Sequence, residues 1–191
     1  MLSIVLQGYT RTCTVTTGGI SNIYVFDPQD FDWTQSSANA AYSVVARRTG
    51  ATSGGGAKFF PVTFINTEAE YKYTQKVTGI SVEYAHELVF QVPQLGNSLG
   101  TFLTKMDAGS ACFGVGVVIV SNDGTISIMG EYSVNGAPIP WFKAMFDGHQ
   151  GTSGKKFGDF NGVTCTIKAT YFRPLQQYAG GGIADIIALT V

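Results

Sequence analysis

The chain has 191 residues, with 12 Lys and Arg against 13 Asp and Glu, a formal net charge of −1. Hydrophobic residues reach 45%, which excludes a disordered chain, and the even charge with no Lys/Arg block argues against a sequence-reading nucleic-acid binder. Charged residues are only 13%, against about 25% in ordinary domains, so part of the surface is expected to be covered by neighbouring subunits.

Met1 to Leu6 is apolar, but it is too short for a signal peptide and lacks a basic start. No window approaches the ~18 apolar residues that cross a bilayer, so no membrane insertion is expected. Cys13, Cys112 and Cys165 are odd in number and form no C-x-x-C, so no disulfide framework is expected and the chain should mature in a reducing cytoplasm. Residues 1–17 read as an N-terminal arm, 18–175 as one β domain, and 176–191 as a C-terminal arm.

Gly18-Gly19 and Pro28 fence a strand over Ile20 to Phe26, rich in β-branched and aromatic residues. A polar stretch, Asp27 to Ala41, follows, and Tyr42 to Arg48 is a second strand. Thr49 to Ala57 holds Gly54, Gly55 and Gly56, three adjacent residues of high backbone entropy, and reads as a mobile loop. Lys58 to Ile65 is β-prone, with Pro61 indicating an edge strand or a bulge.

The clearest alternation comes next. Ala69, Tyr71, Tyr73, Gln75 and Val77 share one face, and Glu68, Glu70, Lys72, Thr74 and Lys76 the other. Ser81 to Val92 repeats the period. A two-residue turn at Thr78-Gly79 would set Tyr73 against Tyr84 and Ala69 against Leu88, with Lys72 diagonal to Glu83 and Glu87. Leu95, Leu99, Phe102, Leu103 and Met106 form one apolar stripe, the mark of an amphipathic helix, with Gly109 as its stop.

Phe113 to Val120 is almost wholly apolar, as in a strand buried on both faces. Asn122-Asp123-Gly124 is a hairpin turn into Thr125 to Met129. Pro138 and Pro140 break the chain before Trp141 to Phe146, and Gly148 to Gly158 reads as a loop. Asn161-Gly162 is a further turn. In the last long strand Val163, Cys165, Ile167, Ala169 and Tyr171 share one face. The tail Ile183 to Val191 is apolar without a polar face of its own, and is expected to dock on a neighbour or on the domain.

No catalytic pattern emerges. His86 lies in an apolar strand row and reads as a packed residue. His149 sits in a glycine loop without a nucleophile beside it, and there is no G-x-S-x-G. Gly148 to Lys156 misses the phosphate-loop spacing by one residue and places Lys156 where the magnesium-binding hydroxyl belongs. Asp27, Asp30 and Asp32 lack the spacing of a calcium loop and suit Asx turns. No catalytic residue, cofactor or metal site is assigned.

Gly130-Glu131 after a buried strand, Gly151-Thr152-Ser153-Gly154-Lys155-Lys156, Gly158-Asp159-x-Asn161-Gly162 and the strand Val163-Thr164-Cys165-Thr166 resemble the closing part of tail tube proteins of tailed bacteriophages. The opening Gly18-Gly19-Ile20 to Phe26, running into an acidic loop, fits the same family. These cues cover about half the chain; residues 34–66 align with nothing. The resemblance implies a mainly β fold, a β-sandwich or half-barrel with one flanking α-helix, long loops and a C-terminal arm. It implies a structural virion protein of the tail, made in the host cytoplasm and not an enzyme. Copies would form hexameric rings whose inner strands join into one barrel, and the rings would stack into a tube. Its partners would be itself and other phage tail proteins, with DNA as non-specific passing cargo. On this reading Glu68, Glu70, Glu83 and Glu87 face the lumen. Ring stacking falls to Gly54, Gly55 and Gly56 and to Ile183, Ile186, Ile187 and Leu189. A tail terminator, distal tail, neck or adaptor protein is one alternative, and a non-viral β-sandwich binding module is another.

Overall fold

The computed structural model describes residues 18–37, 40–49, 57–139, 143–156 and 158–190. Cys13, the arm 1–17, Gly54, Gly55, Gly56, Pro140 and Trp141 lie outside the described residues. The strands are β1 (Ile20–Phe26), β2 (Phe31–Gln35), β3 (Tyr42–Arg47), β4 (Phe60–Val62), β5 (Glu70–Thr78), β6 (Ser81–Pro93), β7 (Gly116–Ser121), β8 (Ile126–Met129), β9 (Ser133–Val134), β10 (Ala137–Pro138), β11 (Ala144–Thr152), β12 (Gly162–Tyr171) and β13 (Gln176–Gln177). Two α-helices, α1 (Asn97–Cys112) and α2 (Ile183–Ala188), accompany them among the described residues. The protein is mainly β and sandwich-like, with one long flanking helix.

The described strands form three sheets. A central sheet runs β13-β8-β7-β1-β4, a back sheet β10-β9-β2-β3, and a front sheet β11-β12-β6-β5. Alternation splits the side chains of the central sheet between two cores. Ile23, Val25, Val117 and Ile119 point forward and pack on Leu88, Phe90, Cys165, Ile167 and α1 residues Leu103 and Met106. Tyr24, Phe26, Val118 and Val120 point backward onto Phe31, Trp33, Tyr42 and Phe59. The nearly all-apolar β7 is therefore buried on both faces, as its composition predicts.

Several elements differ from the sequence reading. The stretch Asp27 to Ala41 contains β2, whose Phe31 and Trp33 are fully buried. Asp27 does make the Asx-type turn, its Oδ1 accepting from the Gln29 N–H at 2.9 Å. The hairpin turn is Gly79-Ile80, not Thr78-Gly79: Thr78 pairs with Ser81, Tyr73 with His86 and Lys72 with Glu87. Gly79 takes φ +62 at the first central position, as a II′ turn requires. The register moves by two residues, so every side chain keeps its face.

Leu95 precedes α1 and is exposed, and the helix continues past Gly109 to Cys112. Half of the Gly148 to Gly158 loop belongs to β11, which passes through a bulge between Phe146 and Gly148. Gly162 opens β12 instead of closing a turn. Residues 176–190 do not extend from the domain. They form β13, which pairs with β8, and α2, which packs into the rear core.

Candidate assembly surface

Sheet edges expose unpaired backbone groups, and folded proteins keep them short or cover them. The central and back sheets follow that practice. The central sheet ends in the two-residue β13 and in the three-residue β4, which carries Pro61. One side of the back sheet ends in the two-residue β10 with Pro138. On its other side, β3 is partly covered where the Ala179 N–H donates to the Tyr42 carbonyl.

The front sheet is different, because it ends in two nine-residue strands, β5 and β11. Every residue of β5 except Tyr71 is exposed. The start of β11 is covered: the Val115 N–H donates to the Ala144 carbonyl at 2.9 Å, and the Phe146 N–H to Ser110 Oγ at 2.6 Å. From Asp147 to Thr152 β11 pairs, among the described residues, with β12 alone, and only Gly148 is half-buried.

Pairing register and burial together define the outer face of this sheet. Glu70, Lys72, Thr74 and Lys76 of β5 lie beside Val89, Glu87, Ala85 and Glu83 of β6. Thr164, Thr166, Lys168 and Thr170 of β12 complete the polar face. Two ion pairs lie on it. Lys72 Nζ lies 3.1 Å from Glu87, and Lys168 Nζ 2.6 Å from Asp147. The Asp147 hydrogen bond, and then its charge, hold the Lys168 ammonium above its ordinary value. Of the four expected lumen carboxylates, Glu70, Glu83 and Glu87 therefore share one face. Glu68 does not: it sits in the 3-10 turn Asn66–Glu68 before β5.

The inner face of the β5–β6 hairpin carries an aromatic row. Tyr73 stands 5.9 Å from Tyr84 and 5.8 Å from His86, ring centre to ring centre. At its base His86 is buried, with Tyr71 Oη 2.7 Å from Nδ1 and the Arg173 carbonyl 3.2 Å from Nε2. Burial lowers the His86 pKa, partly offset by the Arg173 carbonyl. Toward the tip this face is uncovered: Tyr73 is 53% exposed, Val77 64%, and Ile80 completely. The hairpin thus projects apolar surface beyond its own core.

The residues expected to stack rings fall differently. Ile186 is fully buried in the rear core, Ile183 and Leu189 are half-buried against it, and Ile187 is exposed. The Phe59 N–H also donates to the Leu189 carbonyl. Ile186 is therefore unavailable to a neighbour, because the apolar side of α2 is used within the chain.

Two further sites have chemical potential. Buried Glu131 accepts from Tyr42 Oη at 2.8 Å and from Tyr171 Oη at 3.4 Å, and its pKa is raised by burial. Tyr42 belongs to β3, Glu131 follows β8, and Tyr171 ends β12, so this cluster ties all three sheets together. Burial also pushes the Cys165 thiol up to about 12, away from thiolate chemistry. A cleft of about 470 Å³ lies between α1 and the β1–β4 side, lined by Val25, Phe60, Phe102 and Met106 with Lys105 and Asp27. Among the described residues no group of three or more His, Cys, Asp or Glu could hold a metal ion, and no helix is long and apolar enough to cross a membrane.

The sequence reading missed β11 as an edge because its glycines argue for a loop. The signal was present in the matching alternation of β12, whose apolar face needs a partner on each side. No protein-family model, curated protein or solved structure matches the chain.

Proposed function

We propose that the chain is a structural subunit that closes into rings through its front sheet, and that these rings stack into a conduit of the phage tail tube type. The observation that carries this reading is the pair of long open edges on a sheet of four antiparallel strands. Three antiparallel steps separate β11 from β5, so the two edges run in opposite directions. A rotated copy can therefore set its β5 beside the β11 of its neighbour and continue the antiparallel order. Repetition around an axis leaves no edge unpaired, which removes the aggregation hazard of each copy alone. Six copies, the number that the resemblance implies, would close a barrel of about 24 strands.

The polar face suits the wall of a passage for DNA. Its cations, Lys72, Lys76 and Lys168, are outnumbered by the carboxylates Glu70, Glu83, Glu87 and Asp147, so it offers no surplus positive charge to hold phosphates. The uncovered tip, with Val77 and Ile80, gives each copy apolar surface for a neighbour in the same or the next ring.

Negative-stain electron microscopy and sedimentation velocity of the purified chain test this reading. Rings or tubes that grow with concentration are expected. A stable single copy at high concentration, with no ring in the images, would overturn it.

A further inference from the structure

We infer that adjacent copies are held in register by an ion pair between Asp147 of one copy and Lys76 of the next, an inference that rests on the edge-joined ring proposed above. On the open stretch of β11, Gly148, Gln150 and Thr152 occupy the polar-face positions, opposite Thr166, Thr164 and Gly162 of β12. On β5 the polar-face positions are Glu70, Lys72, Thr74, Lys76 and Thr78. Joining must match face to face, or apolar side chains would turn into the polar surface.

Antiparallel pairing that keeps Thr152 on β5 allows Gly148 to lie opposite Thr74, Lys76 or Thr78. In the first two cases Asp147, one residue earlier, lies beside Lys76; in the third it meets only the hairpin end. Reaching Lys72 would instead push Thr152 past the start of β5, into the 3-10 turn at Asn66–Glu68.

The charges point the same way. Asp147 is the only carboxylate or ammonium on the open stretch Asp147 to Thr152. Lys72 is already engaged with Glu87 at 3.1 Å. Lys76 stands opposite Glu83 in register, yet among the described residues it closes no ion pair. Placing it at the joint gives a line of alternating sign, from Lys168 to Asp147 in one copy and from Lys76 to Glu83 in the next. Like charges brought together there would oppose assembly, so the pair also rejects slipped joints.

The test compares Lys76→Glu, Asp147→Lys and the double exchange in the full chain. Both positions are exposed, so each variant should keep the native circular dichroism spectrum. Each single reversal should raise the concentration needed for assembly at least about tenfold, a difference of about 1.4 kcal/mol per joint. The double exchange restores opposite charges across the joint but sets an ammonium beside Lys168 and a carboxylate beside Glu83 within each copy, so it should assemble better than either single variant without regaining the native value. If both single variants assemble like the native chain, or if Lys72→Glu rescues Asp147→Lys instead, this register is wrong while the ring stands. If the native chain itself never assembles, the ring is wrong.

Discussion

Glu131 is held by hydroxyl groups from two different sheets, and that placement sets its response to pH. Burial raises its carboxyl above the usual range, even though hydrogen bonds from Tyr42 and Tyr171 and the charge of Arg173 act against the rise. The folded protein therefore keeps this proton to a higher pH than the unfolded chain, where a glutamate titrates near ~4.3. The stabilisation linked to the proton is complete below that value and is lost as pH rises through the folded pKa. Glu131→Gln preserves the shape and abolishes the titration. Its unfolding free energy relative to the native chain should thus increase from pH 5 to pH 8, measured by urea titration. An unchanging difference across that range would rule out a proton on Glu131. Glu131→Ala removes the acceptor of the buried Tyr42 hydroxyl and should cost about 1–3 kcal/mol at any pH.

Among the elements, α2 has the plainest energetic role. Ile186 fills the rear core beside Phe59 and the Trp33 layer. Ile186→Ala should destabilise the chain by about 2–5 kcal/mol in urea unfolding. Removal of residues 183–190 should lower the midpoint further, and should not yield a stable subunit that merely fails to assemble. A truncated chain with native stability would show that the helix is dispensable to the core. The apolar tail announced burial in the sequence, but it could not say against what, since docking on the same chain and on a neighbour leave one composition. The hairpin shows a similar limit. Its two-residue period fixed both faces, whereas the register depended on whether Gly79 took the first or second turn position. Around β2, Asp27 and Asp30 before the strand and Asp32 within it masked the Phe31-x-Trp33 alternation. In the β9–β10 hairpin, Asn135 and Gly136 take φ +51 and +75, as a type I′ turn needs, a signal that the two nearby prolines overshadowed. The polar row of Glu70, Glu83 and Glu87 was legible from alternation alone. The open edge at Asp147 was not, because it depends on which strands of distant sequence come to lie side by side.

At the scale of the whole molecule, the three layers should differ in how they open. β1 and β7 lie inside the central sheet with both faces packed, so their amides should exchange with solvent most slowly in the isolated copy. The free edge of β5 should exchange fastest among the long strands. On assembly, amides of β5 and of Asp147 to Thr152 should gain protection, while those of β3 and β4 should not. Hydrogen exchange read by mass spectrometry on free and assembled protein distinguishes these outcomes; protection that grew on β3 instead would place the joint on the back sheet. The layered plan has another result for how such a chain can change over time. The outward side of the front sheet packs against none of the hydrophobic interior, so replacing one of its threonines or charges changes that surface and leaves the fold's support untouched. Selection could therefore retune what that surface meets, residue by residue, without rebuilding the layers that carry it.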